Sequence, residues 1–307
     1  MRAFVLLCVA AVLAHATTFY VTVAGLGGEE EYQQRFETWA KEIDKLLKAS
    51  PDSDVRTIFG ATATKAKVQS ALQSVATKAQ NGDALVMMLI GHGTFDGTDY
   101  KLNLPGPDMT GGELAAMLER VPAGRQLVVN MTSASGGSLK ALQRPNRVVI
   151  AATKSGSERN ATVFARYWVE ALRDPTADTD KNETISALEA YRYAERKTAQ
   201  FYETQKRLAT EHAMLEDTGK GDGVKQPSPQ NGHGLAASQF ALLRLASNST
   251  EMTADPAKQA LLKQREDLEG RIDKLKYEKA ALQADDYRKQ LRALLTELAK
   301  VQAELDK

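Results

Sequence analysis

Two residues of types that do chemistry, a histidine and a serine, stand in small-residue turns directly after apolar runs. His92 lies in the turn Gly91-His92-Gly93, directly after the apolar run Ala84–Ile90. Ser133 lies in Asn130-Met131-Thr132-Ser133-Ala134-Ser135-Gly136-Gly137, directly after the apolar run 126–129. An imidazole within reach of a hydroxyl makes a general base and a nucleophile. The peptide N–H groups after Gly91 and around Ser133 offer donors to a developing oxyanion or a bound carbonyl. A serine hydroxyl ionises with difficulty, so the pair also calls for a carboxylate behind the ring. Asp96 and Glu158 are the nearest acidic residues by segment. The same residues serve equally as a structural turn, or as a pocket that binds without reacting.

A second stretch carries metal-ligand spacing. Asp178, Asp180 and Asn182 match the first three side-chain positions of a twelve-residue calcium loop, and Glu189 matches its closing bidentate position. Thr184 would give its carbonyl, and Ser186 would reach Ca2+ directly or through water. Glu183 stands where the motif has glycine; the left-handed backbone needed there costs another residue on the order of 1 kcal/mol. Without an ion, Ser186 and Glu189 read as the capping box of an acidic helix start. The run Asp217 to Gly223 is a poorer acidic loop, and His212 before it reads as structural.

These residues need elements to hold them. Apolar runs at 17–24, 55–60, 84–91, 126–130 and 147–153 alternate with helical patterns, among them Phe36, Trp39, Ile43, Leu46 and Leu47 in the first. That is the signature of βαβ units, predicting an α/β fold with a mostly parallel sheet and helices on both faces. In such sheets sites lie at the carboxyl ends of strands, where His92 and Ser133 both fall. The segment 217–235 reads as a loop or boundary, and 239–247 as a last strand. From about Asp255 the composition turns to Lys, Glu, Leu, Arg and Ala. Leu261, Leu268, Ile272, Leu275 and Leu282 keep heptad spacing; Tyr287, Leu291, Leu294, Leu298, Val301 and Leu305 restart in another phase. Two helices meeting at Ala284-Asp285-Asp286 follow, as a hairpin or coiled coil packed on the main domain or on a second copy.

The order strand, Gly-His-Gly, helix, strand, x-Ser/Thr-x-x-Ser-Gly-Gly resembles the caspase-like (clan CD) peptidases, most of all the legumain-type branch. The resemblance runs over roughly residues 18–245 and implies a three-layer sandwich. It places His92 on the family's histidine and Ser133 on its cysteine, with Ser135, Gly136 and Gly137 behind. Gly91, Gly93, Ser157 and Glu158 would fall on the substrate side. Met131 replaces an acidic residue of the legumain specificity pocket, so cleavage after Asp or Asn does not carry over. The altered nucleophile implies a peptidase homologue that binds peptide or protein segments without cleaving them. A Ser133–His92 hydrolase is the alternative, and a fold turned to an unrelated use the third.

The ends bound the setting. Arg2, the apolar stretch 3–13 and Ala14-His15-Ala16 have the layout of a cleavable signal peptide over residues 1–16, predicting a secreted or periplasmic protein. The single cysteine, Cys8, would leave with it, and with it any thiolate nucleophile or disulfide. The remaining expectations are an α/β domain over 17–250 and a helical unit over 255–307. A formal net charge of +1 on 307 residues gives no basic field for nucleic acid, and no later run has the length and apolarity of a transmembrane span.

Overall fold

The computed structural model describes residues 16–50, 53–245 and 255–306, so residues 1–15 of the predicted signal peptide lie outside the described residues. The first half of the chain runs β1 (Thr18–Ala24), α1 (Glu30–Leu47), β2 (Ser53–Ile58), α2 (Lys65–Lys78), β3 (Ala84–Ile90), β4 (Gly93–Phe95), β5 (Tyr100–Leu102), β6 (Met109–Thr110) and α3 (Gly111–Leu118). The second runs β7 (Arg125–Asn130), α4 (Leu139–Leu142), β8 (Arg147–Ala151), α5 (Phe164–Ala171), β9 (Thr184–Ser186), α6 (Ala187–Thr204), β10 (Met214–Glu216), α7 (Leu235–Ser238) and β11 (Ala241–Arg244). Two long helices close it, α8 (Pro256–Glu278) and α9 (Ala284–Leu305).

The main sheet has the order β10-β8-β7-β3-β1-β2, parallel except for the antiparallel edge strand β10. All seven residues of β3 are buried, because helices cover both faces. Val86, Met88 and Ile90 meet the helices α1, α5 and α6 through Phe36, Ile43, Trp168 and Tyr191. Leu85, Met87 and Leu89 meet α2, α3 and α4 through Val68, Leu72, Leu114 and Leu139. The expected α/β class and its mostly parallel sheet are thus the observed ones.

Strand order reverses at β1, which has β2 on one side and β3 on the other. The carboxyl ends of β1 and β3 are tied where Gly25 N–H donates to the Ile90 carbonyl at 2.8 Å. Gly91 follows with φ +142°, a backbone that glycine takes without strain, and turns the chain into His92.

Of the two readings of 217–235, loop or boundary, the loop is the observed one, and it is folded against the sheet: Leu215 and Val224 exchange both backbone hydrogen bonds at 2.9 Å. It wraps the fully buried Glu216, whose carboxylate accepts from Thr218 N–H at 2.9 Å and Gly219 N–H at 3.1 Å. Asp217 caps α7 by accepting from Gly234 N–H at 2.9 Å and Ala237 N–H at 3.2 Å. The predicted last strand, β11, does not join the main sheet and pairs antiparallel with β9 inside the acidic loop. Leu282 lies in the connection between the long helices with an extended backbone, while Asp285 and Asp286 occupy the first turn of α9, where the helix dipole favours negative charge.

The two long helices pack on each other, and Leu268, Ile272 and Leu275 of α8 are buried with Val301 of α9. The pair is also joined to the body of its own chain. Gln239 Nε2 donates to the Gly270 carbonyl at 3.0 Å, and the Tyr277 hydroxyl to the His233 carbonyl at 2.7 Å. No helix among the described residues is long and apolar enough to cross a membrane.

Candidate functional site

Helix α1 and the turn before it hold His92. Its ring meets Tyr32 edge-on at 5.0 Å between centroids and Phe36 at 5.3 Å. Burial against them lowers the imidazole pKa, outweighing a hydrogen bond from the ring to the Gly27 carbonyl and the charge of Glu29, which both raise it.

Ser133 is 2% exposed at the end of β7, and its hydroxyl bonds to both halves of one residue. Gly93 N–H donates to Ser133 Oγ at 3.1 Å, and Ser133 Oγ donates to the Gly93 carbonyl at 3.2 Å. Glycine is required for this approach, since a β-carbon at 93 would lie 2.6 Å from the Ser133 carbonyl oxygen and 2.5 Å from the Tyr100 ring. Beneath it the Tyr100 hydroxyl is hydrogen-bonded to Thr132 Oγ1 at 2.6 Å and donates to Asn130 Oδ1 at 3.2 Å. No hydrogen bond joins His92 to Ser133 among the described residues; both stand at strand ends, each bonded to other groups.

The other residues of the turn knit β7 to β8. Ser135 Oγ accepts from Thr153 N–H at 3.1 Å, and Gly136 N–H donates to Thr153 Oγ1 at 2.8 Å. Ala134, with φ 55°, donates its N–H to the Glu158 carbonyl at 2.7 Å. Ser157 is exposed and bonds Ser155 through their hydroxyls at 2.7 Å. The Glu158 carboxylate turns to His212, with Oε1 2.5 Å from Nδ1 and Oε2 accepting the His212 N–H at 3.1 Å. Asp96 accepts from Thr98 and Asp99 N–H groups and pairs with Lys101 at 3.2 Å, holding its carboxyl down at about 2. Both acidic residues nearest by segment are therefore engaged away from His92.

Sequence reasoning missed Phe95. Its ring lies against Gly137 on one side and Gly156 on the other, so that a β-carbon at either would overlap it. It fills the space between the Ser133 turn and the loop after β8, and Arg159 Nη2 donates to its carbonyl at 3.4 Å. Two glycines facing one ring leave no local pattern along the chain.

The acidic loop gathers its carboxylates. Asp178, Asp180 and Glu189 each offer an oxygen within 4.8 Å of the others, and can hold a metal ion; it is the one such group among the described residues. Asp178 accepts from Asn182 N–H at 3.2 Å and Glu183 N–H at 3.0 Å, and Asn182 Oδ1 accepts from Thr184 N–H at 2.9 Å. Lys181 and Glu183 take left-handed backbones at φ 61° and 65°. Ile185 is fully buried between Thr184 and Ser186 in β9. The capping box is present as well: Ser186 Oγ accepts from Glu189 N–H at 3.2 Å, while Glu189 Oε2 accepts from Ser186 N–H at 3.0 Å. Loss of hydration, then the charges of Glu189 and Asp178, push the Asp180 carboxyl up to about 6. The poorer acidic run 217–223 gathers no such group, its first residues being occupied with Glu216 and α7.

No family model matches the chain, and no curated protein matches its sequence. Solved structures similar to it include the Drosophila initiator caspase Dronc, at 12% identity and TM-score 0.47, covering 66% of this chain and 80% of that one. Caspase-1 from Spodoptera frugiperda is similar at 16% identity and TM-score 0.47, covering 66% and 86%. Protein GSU0716 from Geobacter sulfurreducens is similar at 15% identity and TM-score 0.43, covering 59% and 89%.

Proposed function

We propose that the protein is an exported, caspase-like protein of the legumain type that binds peptide or protein segments without cleaving them. The exchange of hydrogen bonds between Ser133 and Gly93 carries this reading. It engages the hydroxyl, and it occupies the Gly93 N–H that an oxyanion would need. The Ala134 N–H is likewise taken by the Glu158 carbonyl. Burial among aromatic rings lowers the His92 pKa, and no hydrogen bond joins a carboxylate to its ring among the described residues. On this reading Gly91, Gly93, Ser135, Gly136, Ser157 and Glu158 border the binding crevice. Leu26, 43% exposed just after β1, supplies apolar contact beside it. A fluorophosphonate probe is expected to leave the protein unlabelled, while a peptide array finds bound segments. Labelling that vanishes in both Ser133→Ala and His92→Ala would establish the alternative, a serine hydrolase.

The spacing of Asp178, Asp180 and Glu189 favours a second element of function, Ca2+ held by the 178–189 loop with Asn182, the Thr184 carbonyl and Ser186. Affinity in the range of extracellular modules, roughly 0.1–1 mM, is expected. Calorimetry should give calcium heat for the wild type and none for Asp178→Ala; no heat at millimolar calcium ends the reading. Export rests on the pattern of residues 1–16, and sequencing of the mature protein from the periplasm or medium should begin at Thr17.

A further inference from the structure

Helix α8 carries a second set of charges onto the acidic loop. Asn182 Nδ2 donates to Asp180 Oδ2 at 3.3 Å and to Glu269 Oε2, on α8, at 3.2 Å. One turn earlier on α8, Arg265 Nη2 donates to the Asn182 carbonyl at 2.6 Å. Arg265 is 7% exposed; its Nε points at Glu269 Oε1 from 3.8 Å and has no hydrogen-bond partner among the described residues. Glu266 is drawn off to Arg244 at 2.6 Å, and Lys181 Nζ donates to the Asp178 carbonyl at 2.8 Å.

Burying a guanidinium is costly unless the surroundings demand positive charge. Asp178, Asp180 and Glu189 gather oxygens within 4.8 Å of one another, and Glu269 stands at their edge through the Asn182 amide. Carboxylates outnumber the cations Arg265 and Lys181 that face them, an imbalance that a divalent cation offsets. The apolar seam of Leu268, Ile272 and Leu275 fixes which way α8 lies, so Glu269 is presented to the loop by packing rather than by chance.

We propose that the C-terminal helical pair is a cation-dependent arm, in which Glu269 joins the loop carboxylates around a divalent ion so that ion binding and docking of the arm reinforce each other. The inference rests on the reading of the 178–189 loop as a calcium site. Affinity at oxygen sites follows the number of charged ligands, so a docked Glu269 tightens the site. By linkage, the ion then tightens docking by the same factor. A helical pair held by its apolar seam alone would be indifferent to the ion.

The test uses the whole protein, calcium chloride, calorimetry and hydrogen exchange read by mass spectrometry. In the wild type, calcium should slow amide exchange along α8 about tenfold, within the usual range of coupling between sites. Glu269→Gln keeps the shape and the hydrogen bond to Asn182; it should weaken calcium binding about tenfold and remove most of the exchange effect. Asp178→Ala should remove both heat and effect. If calcium binds but α8 exchange is unchanged or faster, or if Glu269→Gln binds calcium like the wild type, the arm is overturned and the calcium loop stands. If the wild type gives no calcium heat, both fall together.

Discussion

The Ser133 hydroxyl and the Gly93 peptide group satisfy each other, N–H to Oγ at 3.1 Å and Oγ to carbonyl at 3.2 Å, inside a buried turn. The arrangement puts a hydroxyl to structural use at the place where a nucleophile would need it free. Ser133→Ala leaves a buried donor and a buried acceptor without their partner. Such groups cost about 1–3 kcal/mol, so urea denaturation should show a loss of that size. A variant as stable as the wild type would show that the pair contributes nothing.

Phe95 and Gly156 form a second tight relationship across the same crevice. Gly156 needs no special backbone angle, so what excludes a side chain there is the Phe95 ring. Gly156→Ala should cost about 1–3 kcal/mol through overpacking. Phe95→Ala made with it should recover part of that loss, giving a coupling energy of about 1 kcal/mol or more in a double-mutant cycle. Additive losses would place the strain elsewhere.

Glu211 sets a pH dependence. Its carboxylate accepts from Val163 N–H at 2.8 Å, Phe164 N–H at 3.1 Å and the Tyr202 hydroxyl at 2.9 Å at the start of α5. Burial nevertheless pushes its carboxyl from the ordinary 4.5 up to about 7. Between those values the folded protein keeps a proton that the unfolded chain has released, so stability falls as pH rises. The contribution is whole below about 4.5 and lost as pH passes through about 7. Denaturation midpoints across this window should decline for the wild type and lie flatter for Glu211→Gln, which cannot titrate. Parallel profiles would assign the dependence to other groups.

The parallel core is legible along the chain because burial on both faces leaves continuous apolar runs, as in β3 and β7. The short strands are not: β4, β6, β9 and β10 have two or three residues each, too few to show a period. The polar run 217–235 resembles a linker by composition, and becomes structure only because Glu216 and Asp217 draw its N–H groups inward. At the site, His92 and Ser133 can be picked out by their places after strands. Their actual partners, Gly27 and Gly93, are backbone groups with no side-chain signature. Glu269 lies 80 residues beyond Glu189, and only the packing of α8 discloses that it meets the loop.

Glu183 gives the sharpest test of the acidic loop, because the conformation expected from spacing is present without the residue that favours it. Its φ of 65° lies in the left-handed region, and Lys181 two positions earlier lies there too at 61°. Two of the bonds that hold this shape use the main chain of Glu183: its N–H donates to Asp178 Oδ2 at 3.0 Å, and its carbonyl accepts from Leu245 N–H at 2.9 Å. Glu183→Gly keeps both while relieving a strain on the order of 1 kcal/mol, part of which the greater freedom of glycine in the unfolded chain offsets. A net gain of about 0.5 kcal/mol in urea is expected, with a lower calcium dissociation constant because the loop is held nearer its ligating shape. A destabilised variant with unchanged calcium heat would mean that the Glu183 side chain contributes more than its backbone strain costs, and that the loop is shaped for capping α6 alone.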